Sequence, residues 1–482
     1  MGRVPTLFAL AVLVGCGGGA SGNASSAAGA DGGAGDDAAA GDDTGTRAGG
    51  DGSVPPSGDA ASDAGDGGDG SPADDGPFAG QRAACAFKQG ALPRDTFGPS
   101  IAKMNIPIDT VVIVSQENRA FDHYFAHLPA YGQTDVAVES PGVQLANAQG
   151  QKFSPFHQTD YCFADTAHDW DSMHADWNGG ANDGFVRTND PGGERTLGTF
   201  DQTDLSFYYE LAGTYGIGDH YFSALLGPTG PNRLYLYAGT SSGHIANGPG
   251  VAPGQPSIFR RLTDAKVPFA VYSASGKAAT NCPGPYSFET SMFCGDIPQG
   301  ASPMTTFDSD AAAGTLPNVS WIYPGMDEHP PEDMQQAERL VQHVFDTLAA
   351  SPQWPRAAFI LTYDEAGGIY DHMPPARACQ PDSTPPAVPA EGKTAGAFDV
   401  YGFRVPLLVA SPWSRAHYVS HEVTSHTSIL RFLELRFGLP AVSDRDANEW
   451  PLIDYFDFSH PSFAAPHVPA AVVVADPKTK GC

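Results

Sequence analysis

Two short stretches concentrate polar side chains in a way that suits metal chemistry: Ser115-Gln116-Glu117-Asn118-Arg119 and Tyr363-Asp364-Glu365. Between them they offer three carboxylates and an amide, hard oxygen donors that suit a divalent cation. The same residue types also serve as helix caps and turn formers. A third stretch, Leu226-Gly-Pro-Thr-Gly-Pro-Asn-Arg233, sets Thr229 in a Gly/Pro turn ahead of Leu234-Tyr-Leu-Tyr-Ala238. Thr229 is expected to cap a helix there, where unpaired backbone N–H groups and the helix dipole attract an anion. A cation on its hydroxyl would lower the pKa and make a nucleophile available at moderate pH. Histidines complete the set: His168 in Ala-His-Asp-Trp, His174, His329 in Asp-Glu-His-Pro-Pro, His372 in Tyr-Asp-His and His426 in Ser-His-Thr-Ser. Imidazoles at loop positions can protonate a leaving oxygen or hold phosphate oxygens, and some of these five are expected to do so.

The elements that must position these residues are legible as apolar runs. Residues 108–114, 267–272, 319–323, 358–362 and 405–409 are short and apolar, as buried parallel strands are. Residues 332–350 place Leu340, Val341, Val344, Phe345 and Leu348 on one helical stripe, and 428–438 repeats the pattern with Gly438 as a stop signal. Strands alternating with helices predict a three-layer α/β/α sandwich around a mainly parallel sheet. Such sheets bind ligands beyond the carboxyl ends of their strands, which is where Glu117, Asn118, Asp364 and Glu365 fall.

The chain has 482 residues and a formal net charge of −29. So acidic a balance excludes a nucleic-acid-binding face, which needs clustered Lys and Arg. No apolar run reaches the ~18 residues required to span a bilayer. Residues 1–16 have one basic residue, Arg3, then an apolar stretch from Leu7 to Val14, the layout of a secretory signal. Leu13-Val14-Gly15-Cys16 is similar to a bacterial lipobox, which makes Cys16 an expected site of lipid attachment and membrane association. Residues 17–80 hold 20 Gly and 12 Asp with one Arg and almost no bulky apolar side chain, so they are expected to form a flexible acidic tether. The catalytic body is expected over 81–482, exported and facing the periplasm, the cell surface or the medium. Setting Cys16 aside leaves six cysteines and up to three disulfides, Cys282 and Cys294 being a natural loop staple. Oligomeric state stays open.

Taken together the blocks resemble the bacterial phosphoesterase family of phospholipases C and related acid phosphatases. The resemblance rests on Ser-Gln-Glu-Asn-Arg-Ala-Phe-Asp-His-Tyr-Phe (115–125), His168-Asp-Trp with His174 and Trp177-Asn-Gly-Gly, Gly-Pro-Thr-Gly-Pro-Asn-Arg (227–233), Thr362-Tyr-Asp-Glu with Gly-Gly-Ile-Tyr-Asp-His372, and His426-Thr-Ser-Ile-Leu-Arg-Phe432. It implies an alkaline-phosphatase-like fold. It implies that Glu117, Asn118, Thr229, Asp364 and Glu365 hold a divalent metal ion of unspecified identity, with Asn118 also on phosphate. It makes Thr229 the nucleophile of a phosphothreonine intermediate, and His168, His329 and His426 the phosphate-holding and leaving-group histidines. The implied substrate is a phospholipid or small phosphate ester, with phosphodiester and phosphomonoester hydrolysis both open. Ala366 stands where many relatives carry His or Asn, which removes one expected polar contact. The chain also ends soon after the last block, which weakens the expectation of a strong lipid preference.

Two other readings compete. Gly239-Thr-Ser-Ser-Gly243 matches the serine-esterase pattern G-x-S-x-G, with Asp364 and His426 as partners, but that elbow needs a strand before it and a helix after it. A non-catalytic surface binder would have no use for a nucleophile and its metal shell together. Cys282-Pro-Gly-Pro-Tyr lacks the Cys/Ser-x-Pro-x-Arg pattern of sulfatases.

Overall fold

A computed structural model of the protein describes residues 77–248, 250–325 and 328–472. The expected signal, Cys16, nearly all of the 17–80 tether and Cys482 lie outside the described residues. The first described helix, Pro77–Ala83, crosses the expected boundary between tether and body.

The core is an eight-stranded sheet. In chain order its strands are β1 (Thr110–Gln116), β2 (Gly216–Gly218), β3 (Phe269–Ser273), β4 (Ala301–Pro303), β5 (Val319–Tyr323), β6 (Ala357–Tyr363), β7 (Leu407–Ala410) and β8 (Tyr418–Ser420). Across the sheet they run β8-β2-β7-β6-β1-β5-β3-β4. All pairings are parallel except those of β7, which is antiparallel to both β6 and β2. The apolar run at 405–409 was expected to be parallel like the others. Burial on both faces makes such a run apolar throughout, and an apolar run carries no direction.

Register shows that both faces are covered. Trp321 shares a face with Ile113, Ile360 and Val271, and its ring meets Phe259 at 5.0 Å and Tyr237 at 6.4 Å. Those rings belong to Ile258–Asp264 and to a helix spanning Thr229–Ala238. Phe359 and Tyr272 point the other way. They meet Phe345 at 5.5 Å and Phe307 at 5.4 Å, on Met334–Ala349 and Met304–Ala313. Successive side chains of a strand alternate faces, so helices lie on both sides and the architecture is a three-layer α/β/α sandwich.

Four helices matter below: α1 (Trp170–Trp177), α2 (Thr229–Ala238), α3 (Met334–Ala349) and α4 (His426–Phe437). Both α2 and α4 stop at a glycine in the left-handed region, Gly239 (φ 69°) and Gly438 (φ 67°), the conformation glycine adopts without penalty. The Cys282–Cys294 disulfide forms as expected, Cys85 pairs with Cys379 at a sequence separation of 294, and Cys162 is disulfide-bonded too. No helix among the described residues is long and apolar enough to cross a membrane.

Candidate active site

Three neighbouring parallel strands deliver their polar ends to one edge of the sheet. β1 is followed by Glu117 and Asn118, β6 by Asp364 and Glu365, and β5 by the segment carrying Glu328 and His329. β1 and β6 stay in register to their last residues, Gln116 opposite Tyr363, and Asp364 N–H then donates to the Gln116 carbonyl at 3.1 Å. The Glu117–Asn118 and Asp364–Glu365 pairs are therefore side by side because their strands are.

Helix α2 supplies the hydroxyl. Pro228 occupies the cap position and makes no side-chain cap bond, so Thr229 is the first helical residue and not the cap itself. Its hydroxyl is not spent on capping. The turn before it is fixed by buried Asn232, whose Oδ1 accepts from Ala224 N at 2.9 Å and Leu225 N at 3.1 Å while Nδ2 donates to Gly227 O at 2.7 Å. Gly230 N donates to Asn247 Oδ1 at 2.7 Å. A side chain at Gly230 would meet that oxygen at 2.9 Å and would push the Asn247 side chain aside.

Arg233 lies one helical turn beyond Thr229 and joins the acidic pairs. It is buried, with Nε donating to Asp364 Oδ2 at 3.0 Å and Nη2 to Glu117 Oε1 at 3.3 Å, and its guanidinium lies 4.4 Å from the Phe288 ring centroid. Burial nevertheless drives the Asp364 carboxyl up to about 7, with Glu365 pushing the same way and Arg233 opposing. Glu365 is also held well above the usual carboxylate range, chiefly by burial. One cation is thus insufficient for the carboxylates gathered here.

The remaining histidines separate into two classes. His168 and His329 face each other, ring centroids 5.3 Å apart. His168 Nδ1 sits 2.6 Å from Thr166 O and His329 Nδ1 2.6 Å from Pro330 O. A carbonyl only accepts, so in the neutral rings Nδ1 carries the proton and Nε2 the lone pair. His168 Nε2 lies 3.8 Å from Glu365 Oε1. Together with Glu117, Thr229, Asn247, Tyr286 and Phe288, the two histidines line a cleft of about 510 Å³.

His174, His372 and His426 do not line it. His174 Nδ1 donates to Trp170 O at 2.7 Å within α1. His372 Nδ1 donates to Asp122 Oδ2 at 2.6 Å, in a buried cluster where Arg404 pairs with Asp371 and Asp122. His426 is the first residue of α4 and fully buried; Nε2 donates to Asp364 O at 2.7 Å and Nδ1 accepts from Tyr221 Oη at 2.9 Å. Burial lowers its pKa to about 4. With both nitrogens engaged, His426 holds the Asp364 carbonyl and does not open on the cleft that His168 and His329 line.

The donor set fits a hard divalent cation. Asn118 is buried with neither Oδ1 nor Nδ2 hydrogen-bonded, and Glu365 Oε1 is buried without a hydrogen-bond partner. Such atoms are expensive to leave unmatched and are natural ligands. Glu365 Oε2 accepts from Gly367 N at 2.5 Å, which fixes the carboxylate although residue 366 is alanine. Gly367, at φ 68°, packs so closely that a side chain would meet Asn118 O at 2.9 Å. A second group, Asp165, His168 and His329, brings one ligand atom each within 4.8 Å of one another.

Several residues were not assigned roles from the sequence. Arg233 closes the Gly-Pro-Thr-Gly-Pro-Asn-Arg block, and its spacing of four from Thr229 on a helix is the signal that could have found it. Glu328, next to His329, accepts from Tyr124, from Tyr208 at 2.6 Å and from Tyr363 at 2.7 Å. Asn247 and Tyr286 arrive from loops and Phe288 from the first turn of a short helix, Phe288–Phe293, and none of them carries a local signal. The serine-esterase reading has no support: Ser241 is fully buried and the segment after it is not helical.

Several known proteins are similar to this chain in sequence. Phospholipase C B of Mycobacterium tuberculosis (strain ATCC 25618 / H37Rv) is 31% identical over 415 residues, covering 73% of this chain and 78% of that protein. The hemolytic phospholipase C of Pseudomonas aeruginosa is 32% identical over 417 residues, covering 73% and 56%. Non-specific phospholipase C1 of Arabidopsis thaliana is 29% identical over 391 residues, covering 73% and 72%. A solved structure of an alkaline phosphatase superfamily protein from Vibrio parahaemolyticus aligns at a TM-score of 0.38 and 10% identity, over 78% of this chain and 77% of that one. The Phosphoesterase family profile matches residues 108–440, and the chain is a member of that family, a hydrolase acting on phosphate ester bonds.

Proposed function

We propose that the protein is a phospholipase C-like phosphodiesterase that uses Thr229 as nucleophile and a divalent metal ion held by Glu117, Asn118, Thr229, Asp364 and Glu365. The observation carrying this reading is that Thr229, at the N-terminus of α2, shares one cleft with Glu117, His168 and His329 while Arg233, a turn away, joins Glu117 to Asp364. When bound, the metal would lower the Thr229 pKa and stabilise charge on the phosphoryl group.

The chain's own residues do the rest. The N-terminus of α2 and Asn118 receive the phosphoryl oxygens. Thr229 Oγ, its proton released to solvent, attacks phosphorus as the bond to the leaving alcohol breaks on the opposite side. An imidazolium of the His168–His329 pair protonates the departing alkoxide. Water then attacks the phosphothreonine phosphorus while the now neutral imidazole takes its proton, the bond from phosphorus to Thr229 Oγ breaks with release of the phosphorylated product, and Oγ regains a proton from solvent.

Parallel assays of phosphatidylcholine, phosphatidylinositol and a chromogenic phosphomonoester, each with chelator and with added divalent ions, test the reading. Metal-dependent release of phosphorylated headgroup is expected. Turnover of the monoester alone would make the protein a phosphatase, and turnover of none would end the proposal.

We further propose export of the protein and lipid attachment at Cys16, with 17–80 as a tether. The long-range Cys85–Cys379 bond supports an oxidising compartment. Labelling with a radioactive fatty acid, abolished in Cys16→Ala, is the expected result; equal labelling of the variant would refute it.

A further inference from the structure

The cleft has one apolar wall, and it comes from a single segment. Glu117, His168, Thr229, Gly230, Asn247, Gly248, Gly250 and His329 line the polar remainder, none with an apolar side chain. The apolar lining is Tyr286, Phe288 and Met292, with Ser291 beside them. All four lie between Cys282 and Cys294, joined by a disulfide at a sequence separation of 12.

The loop is anchored in two ways. From below, Glu289 accepts from Tyr237 Oη of α2 at 2.8 Å, and the Phe288 ring packs on the Arg233 guanidinium at 4.4 Å. Tyr286 and Phe288 meet at 5.9 Å and each meets Tyr323, at the end of β5, at 5.6 and 5.5 Å. At its ends the disulfide ties Cys282 to Cys294, so the two ends of the segment cannot separate. The wall thus keeps a fixed relation to Arg233, and through it to Glu117 and Asp364.

A phosphoester has two parts with opposite needs. Its phosphoryl oxygens need charge and hydrogen bonds, which the polar side of the cleft supplies. Its alcohol, where organic, gains from apolar contact, and the cleft provides that in one place. We propose that the loop closed by Cys282–Cys294 is the leaving-group wall, taking the apolar part of the alcohol released from the phosphoester, and that the disulfide is a positioning device for it. The inference rests on the phosphoester reading above.

The test compares phenyl and 2-naphthyl phosphoesters, whose leaving groups have similar acidity but different apolar area. Wild type is expected to favour the naphthyl ester in kcat/KM. Met292→Ala and Tyr286→Ala are each expected to reduce that preference by about fivefold, the scale of a few lost apolar contacts in a pocket. Cys282→Ser/Cys294→Ser is expected to raise KM for the naphthyl ester more than for the phenyl ester, with kcat changed far less. Met292, in the helix Phe288–Phe293, is only half-buried, so its variant tests the proposal should the double variant not fold. An unaltered preference ratio in the Met292 and Tyr286 variants, with normal melting temperatures, would overturn the assignment while leaving the phosphoesterase intact. Turnover of neither ester by wild type would instead overturn the phosphoester reading, and this inference with it.

Discussion

Replacing Arg233 with methionine keeps most of the apolar stem and removes the guanidinium that joins Asp364 and Glu117. Removing one partner of a buried ion pair costs ~3–5 kcal/mol, because a charge is left without compensation. Here the lower end applies. Burial already holds Asp364 up to about 7 with Arg233 present, so the stranded carboxyl can take up a proton instead of staying charged. Unfolding entropy of about 2.1 cal/mol/K per residue gives roughly 0.8 kcal/mol/K for a body of roughly 400 residues, so ~3 kcal/mol lowers Tm by about 4 °C. The pH dependence has a definite sign. A carboxyl raised above its unfolded value of 3.8 penalises the folded state increasingly as pH climbs toward its folded pKa. Loss of Arg233 raises that folded pKa further, so the deficit relative to wild type widens above about pH 7 and narrows below it. A divalent ion would replace the missing positive charge, so its stabilising effect is expected to be larger in Arg233→Met than in wild type. Scanning calorimetry at pH 6 and pH 8, with chelator and with added divalent ion, reads all three effects. A Tm equal to wild type, or a deficit that shrinks with rising pH, would refute the electrostatic account.

Other consequences are equally specific. Asn232→Ala strands two N–H groups and a carbonyl in the turn before Thr229, at ~1–3 kcal/mol each; Tm is expected to fall by at least about 4 °C and kcat to fall with it, and unchanged kcat would mean the turn does not position the hydroxyl. His421 pairs with Asp219 at 2.9 Å and Asp135 at 3.2 Å, beside His220, and its pKa is raised to about 9, chiefly by the Asp219 hydrogen bond. The resulting stabilisation is full below about pH 6.5 and lost as pH rises through about 9, so Tm of His421→Gln should lie below wild type at pH 6 and converge with it by pH 10; a constant difference would contradict the pairing.

The strands that build the site were readable because they are buried on both faces and bounded by turn signals. β5 matches its expected span, and β1 and β6 differ by one or two residues at their ends. Ser115 and Gln116 extend β1 although polar, since Thr362 and Tyr363 lie opposite them. The short strands Gly-Ile-Gly, Ala-Ser-Pro and Tyr-Val-Ser have no pattern of their own and exist because neighbours pair with them. The acidic pairs were readable for a topological reason, being residues that follow parallel strands. His426 was misleading: its polar neighbours read as a loop, but Thr424 and Ser425 pair with Tyr221 and Phe222 and carry it inside. The apolar side chains at 286–292 were invisible, since only the tertiary fold brings them into one cleft with Thr229.

Acid quenching of the enzyme during turnover, followed by mass spectrometry of the peptide containing residue 229, tests the central claim most directly. A phosphate on Thr229 that appears only with substrate and divalent ion, and is absent with turnover lost by orders of magnitude in Thr229→Ala, is the predicted result. Turnover near wild type in Thr229→Ala at an unchanged Tm, with no phosphorylated peptide in the native enzyme, would contradict it.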